Sequence, residues 1–171
     1  MATITETLTT EHALLNRLFD ELERLLPDLR TVPEVQLLTR VLTGLLTYHA
    51  DLEENLAYAA LDHAVAEQGQ LDRLYQDHHE IELRLRAVAS ATELLKATQL
   101  LKAGLKASRE HFKHEERVIF PLLAKHLSPT ALQTLGAGAG DATAPLGLYG
   151  FANALSARLR PRPAATSSQG G

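Results

Sequence analysis

His49-Ala-Asp-Leu-Glu53-Glu54-Asn-Leu56-Ala-Tyr58 and His111-Phe-Lys-His-Glu115-Glu116-Arg-Val118-Ile-Phe120 carry one pattern twice, 62 residues apart. Each reads His-x-x-x-Glu-Glu-x-apolar-x-aromatic. On a helix, residues four apart share a face, with β-carbons about 5–6 Å apart. Each stretch therefore aims an imidazole and a carboxylate at one point. A single His-x3-Glu pair is usually a surface pair worth a few tenths of a kcal/mol. Here a further histidine precedes each stretch, His12 by 37 residues and His78 by 33, and an acid precedes each of those, Glu11 and Asp77. The doubling predicts a metal site built from two equivalent halves.

Working outward, four helical segments frame these residues. The first is expected from about Thr9 to Leu29, with stripe Leu8, His12, Leu15, Phe19, Leu22, Leu26 and a second row Leu14, Leu18, Leu25. Pro33 suits the first turn of the second helix, expected from Glu34 to Ala66 with stripe Leu38, Leu42, Leu45, His49, Leu52 with Glu53, and Leu56. Gly69 punctuates, and the third helix is expected from Gln70 to Ala89 with stripe Leu71, Leu74, His78, Ile81, Leu85, Val88. Ser90 and Thr92 are candidate caps for the fourth, which should reach His126 with a kink at Pro121. Its stripe is Leu101, Leu105, Ser108, His111, Glu115, Val118, Leu122. Short connectors between long helices give antiparallel neighbours, so the expected fold is all-α, an up-down-up-down four-helix bundle over residues 1–135. Ser128-Pro129 should open a short helix to Leu135. Residues 136–171 read as a Gly/Ala/Pro-rich linker and flexible tail, with an amphipathic helix possible over 146–159. That segment could cap the bundle or dock on a protein partner.

Composition agrees and excludes. Hydrophobic residues are 45% of the chain and aromatics 5%, so Leu and Ala carry the core, as expected of helices packed on helices. The absence of cysteine excludes thiolate metal sites and iron–sulfur clusters. A net charge of −4 argues against nucleic-acid or membrane-surface binding. No apolar run approaches the ~20 residues of a membrane span, and no signal peptide is evident, so a cytoplasmic location is expected.

The chemistry follows from burial. Each stripe holds a histidine, and an unpaired buried imidazole costs about 1–3 kcal/mol. A metal removes that cost, since neutral imidazoles and carboxylates become ligands and binding energy becomes folding energy. Nitrogen and oxygen donors without sulfur favour iron or manganese over zinc. Two carboxylates from opposite helices can bridge a metal pair, each metal taking two imidazoles.

The set His12, His49-x3-Glu53, His78 and His111-x3-Glu115 resembles the hemerythrin-like, or HHE cation-binding, family, with His111 through Pro121-Leu-Leu its most family-like piece. The resemblance covers residues 8 to 127. It implies a four-helix bundle around two non-haem iron ions, with these six residues as metal ligands and Glu53 and Glu115 bridging. It further implies that O2, peroxide or nitric oxide is the small-molecule ligand, in a carrier, a redox enzyme, or a non-catalytic iron or oxygen sensor whose tail docks on a partner. The chain departs from oxygen-carrying hemerythrins, which place two histidines four apart on the third helix, where this chain has Glu82 four beyond His78. Those proteins also end in His-x4-Asp rather than His-x3-Glu, and the difference shifts weight toward redox chemistry, iron handling or sensing.

Several nearby residues have alternative roles. His79 is the fallback for His78; His78 is preferred because Ile81, Leu85 and Val88 continue its face. Glu54 and Glu116 are expected to face solvent or to support the ligands. Tyr48, Tyr58 and Tyr75 are expected to pack in the core, with contact to the metal or a bound oxidant the alternative for Tyr75. His114 is expected to be exposed, with a supporting or entrance role the alternative; His63 and His126 are expected to be structural.

Overall fold

The computed structural model describes residues 1–64 and 68–143, and among these every regular element is helical. Helix α1 spans Ile4–Leu25 and ends in a 3-10 turn, Leu26–Asp28. Helix α2 is Val32–Leu52 continued by a π-helical stretch, Glu53–Tyr58, and by Ala59–Ala64. Helix α3 is Gln68–Ala89. Helix α4 repeats the plan of α2: Leu94–His114, a π-helical stretch Glu115–Ile119, then Phe120–His126. Helix α5 is Pro129–Thr143. The segment expected to be amphipathic, 146–159, and the tail beyond it lie outside the described residues. No described helix is long and apolar enough to cross a membrane.

Helix ends follow local chemistry, with two departures from expectation. Helix α1 begins five residues before the expected Thr9, because Thr3 and Glu6 form a reciprocal capping box that satisfies the first free N–H groups. Helix α4 is capped by neither Ser90 nor Thr92. Its first residue follows Glu93, which makes no side-chain cap, and the Ser90 hydroxyl instead donates to the Ala87 carbonyl closing α3. Glu34 secures the start of α2 by accepting from the Thr31 and Arg30 N–H groups. Pro121 sits in the first turn after the π stretch of α4. A proline offers no N–H to the preceding turn, and the wide π turn absorbs that break.

The apolar interior is divided in two. One cluster holds Leu15, Phe19, Leu42, Leu46, Ile81, Leu85, Leu101, Leu105 and Phe112. The other holds Ile4, Leu8, Leu52, Tyr58, Leu74, Ile119, Phe120 and Leu123. Along α1, His12 falls between Leu8 and Leu15; along α3, His78 falls between Leu74 and Ile81. A polar layer thus separates two apolar ones. Helix α3 packs along α4, α2 against both, and α1 against α4. Gly104 permits close approach of α3, since a β-carbon there would lie 2.6 Å from Leu85 Cδ2.

The expected stripes of α1 and α3 are the buried ones, with His78 half-buried. Those of α2 and α4 slip. On α2 the buried line is Val35, Thr39, Leu42, Leu46, His49, while Leu38 and Leu45 are only half-buried. Beyond Glu53 the core receives Ala57 and Tyr58 rather than Leu56; beyond Glu115 it receives Ile119 and Leu123 rather than Val118 and Leu122. A π turn holds more residues than an α turn, so each stretch advances the inward face by one residue.

Helix α5 continues beyond Leu135 through Gly136 to Thr143, across a stretch whose composition reads as linker. It lies on the start of α1. Gly136 makes this approach possible, because a β-carbon there would sit 2.3 Å from the Ala2 carbonyl oxygen.

Candidate metal centre

Six side chains from four helices meet in the polar layer. His12, Glu53 and Glu115 are fully buried, and His49 and His111 nearly so; His78 is the most accessible, its side chain 13% exposed. All four imidazoles point Nε2 inward. Glu53 Oε1 lies 3.0 Å from His49 Nε2 and 3.2 Å from His12 Nε2. Its Oε2 lies 3.3 Å from His78 Nε2 and 4.0 Å from His111 Nε2. Glu115 Oε2 is 3.4 Å from both His12 and His111 Nε2. His78, not His79, faces the centre; His79 is exposed.

The four Nδ1 atoms point outward, each toward an acid. His49 Nδ1 is 2.8 Å from Glu11, His12 Nδ1 2.9 Å from Glu116, and His78 Nδ1 2.7 Å from Glu54. His111 Nδ1 stands 3.7 Å from Asp77, too far to hydrogen-bond. Glu54 and Glu116 therefore support the histidines rather than merely face solvent. A carboxylate on Nδ1 holds the proton there and leaves the Nε2 lone pair free for a metal.

Tyr58 is the residue that sequence reasoning missed. It is wholly buried and donates its hydroxyl proton to Glu115 Oε1. Its ring stacks on His78, with centroids 5.9 Å apart. The signal was present: in the doubled motif Tyr58 aligns with Phe120, and the hydroxyl is the only difference at that position. Tyr75, expected in the core, is 42% exposed and meets Tyr58 edge-on. His126 is exposed, His114 is half-buried, and the side chain of His63 lies outside the described ones.

The donor set fits a cation. Four buried atoms in the middle of the cluster, His49 Nε2, His111 Nε2, Glu53 Oε2 and Glu115 Oε2, lack a hydrogen-bond partner in acceptable geometry. Such orphans are rare in native interiors, and here they face one another. The ligand-type atoms form two groups that share Glu53: His12, His49, Glu53 and Glu115, and Glu53, His78 and His111.

Without a cation the cluster settles its charges unevenly. Burial disfavours a charged His12, but contacts with Glu115 and Glu53 outweigh it and lift the group to about 9. Burial likewise opposes a charged His49, and the charge of Glu53 with the bond to Glu11 lifts it to about 10. His78 is raised, its contact with Glu53 overcoming burial. Burial and the neighbouring His78 push His111 down to about 3. Burial alone would raise Glu53, yet His49 and His12 hold it well below the usual carboxylate range. Burial and the charge of Glu53 raise Glu115 to about 7. Burial, then the two acids, keep the Tyr58 phenol protonated far above its ordinary range.

Comparison with curated proteins and with solved structures gave no match. A family model, the hemerythrin HHE cation binding domain, matches residues 3–123, a span holding all six residues of the cluster. Buried His/Glu groups and a cation-binding family model agree on metal binding, and the chain belongs to the hemerythrin HHE cation-binding family.

Proposed function

We propose that the chain is an antiparallel four-helix bundle holding two non-haem iron ions, and that it binds or reacts with O2 or peroxide there. His12, His49, His78 and His111 would be terminal ligands, and Glu53 and Glu115 would bridge. The observation that carries this reading is the convergence of four Nε2 atoms on two buried carboxylates, with four of the central atoms left orphaned. Nitrogen and carboxylate donors without sulfur favour iron, with manganese and zinc behind.

Bound iron supplies one-electron oxidation and reduction and a coordination position for a small oxygen-bearing ligand. The chain's own groups do the rest. Glu11, Glu54 and Glu116 hold the Nδ1 protons of three histidines and so orient their rings. Tyr58 holds a proton against Glu115 Oε1, leaving Oε2 to face His12 and His111. Phe112 and Phe120 lie nearly parallel to the His12 ring, at 4.2 and 5.6 Å, and surround it with apolar surface.

Elemental analysis of protein purified without added ions should give about two irons per chain. Anaerobic reduction followed by O2 and peroxide titration should then show stoichiometric oxidation. A reduced, iron-loaded protein inert to both reagents would contradict the reading.

A further inference from the structure

Between α2 and α3 a half-open groove of about 370 Å³ leads to the His78 and His111 side of the cluster. It follows α2 from Thr43 to Glu54 and α3 from Tyr75 to Leu85, about three helical turns on each, or about 15 Å. Its walls combine apolar Leu46, Ile81, Leu85 and Phe112 with the acids Asp51, Glu54 and Glu82. At its inner end His111, 3% exposed, presents an Nε2 with no hydrogen-bond partner.

The groove is larger than the ligand proposed above requires. A water-sized molecule claims about 30 Å³ of liquid volume, and O2 or peroxide is of that order. Pockets for small organic molecules begin at roughly 300 Å³. The groove touches His78, the most accessible of the four histidines, together with His49 and His111. A cation held there has room for an outside oxygen donor.

Resting on the metal reading, we infer that the groove binds a small organic molecule with one oxygen-donor head and an apolar body. The head meets the cation at His78 and His111, and the body lies along Leu46, Ile81 and Leu85. Carboxylates and alkyl hydroperoxides share this chemistry.

The test uses zinc-loaded protein, so that no redox reaction intervenes, titrated calorimetrically with octanoate and with acetate. Burial of the longer chain should make octanoate bind at least about tenfold tighter. Thr47→Trp, on the exposed rim, should remove that advantage while leaving acetate affinity, zinc content and melting temperature unchanged. The wild-type comparison of the two acids stands whether or not the variant folds. Equal affinities in protein carrying its full zinc would overturn the inference and leave the metal reading intact. A chain that takes up no zinc and no iron would fail the metal reading, and this inference with it. Octanoate binding that survives Thr47→Trp undiminished would place the apolar body elsewhere and overturn the assignment.

Discussion

The α1–α2 half and the α3–α4 half bring matching histidines to the centre but hold them differently. In the first half, His49 is fixed on its outer nitrogen by Glu11 at 2.8 Å. In the second, the equivalent His111 stands 3.7 Å from Asp77, whose side chain is one methylene shorter. The first half supplies Tyr58, whose hydroxyl reaches the acid of the other half; the second has Phe120, which has no hydroxyl to donate and stacks on His12 instead. Without metal, His49 is lifted to about 10 and His111 is pushed down to about 3. A repeat can therefore preserve a ligand set while two substitutions at its edge, Glu to Asp and Tyr to Phe, make the halves unequal.

The largest expected effect probes what the halves share. Glu53 belongs to both groups of donors and Glu115 to one. Glu53 approaches all four Nε2 atoms and Glu115 two, so Glu53→Ala should lose both metals while Glu115→Ala lowers metal content less by elemental analysis. A Glu53→Ala protein that still held two would show that the halves do not meet at this residue.

Next comes the outer acid. Glu11→Ala should weaken metal binding about 10–100-fold in chelator competition, as loss of a carboxylate behind a ligating histidine does. Asp77→Ala, removing a contact already too long, should cost far less. Equal losses would abolish the distinction between the halves.

A smaller effect is expected at the tyrosine. Tyr58→Phe makes the two motifs alike and leaves Glu115 Oε1 without its donor. In metal-free protein this should cost about 1 kcal/mol by denaturant melts, near the low end for an orphaned buried acceptor, because His12 and His111 still face the other oxygen.

The gentlest test is pH. Raised values for His12 and His49 contribute stability below the unfolded value of 6.5 that is lost as pH climbs toward 9 and 10. The depressed His111 acts oppositely, destabilising the fold as pH falls below 6.5. Glu115, raised to about 7 from 4.5, offsets the His111 loss between those limits. Metal-free protein should thus melt highest between about pH 4.5 and 6.5 and soften above and below. Metal-loaded protein should not soften between pH 7 and 9, because bound imidazoles carry no titrating proton. Identical profiles for the two forms would mean that the histidines are not ligands.

Much of this centre was legible in the chain. His12 and His78 follow from unbroken i, i+3, i+4 stripes, because α1 and α3 stay regular through the site. The stripes of α2 and α4 misled beyond each glutamate, naming Leu56 and Val118 where the core receives Tyr58 and Ile119. Side-chain periodicity assumes a constant turn, and a π turn changes the count without leaving a residue signature. Helix α5 was underestimated for a related reason. Glycine and alanine read as linker by composition, yet Gly136 is used for close approach to α1, a contact between residues over a hundred positions apart.

By itself the sequence determined the helical class, the doubled motif and the six residues that meet, because spacing along a helix dictates facing. Only the tertiary structure decided which acid stands behind which histidine, that Tyr58 reaches across to Glu115, and that one side of the cluster opens on a groove. Those depend on distances between helices, which periodicity within one helix does not encode.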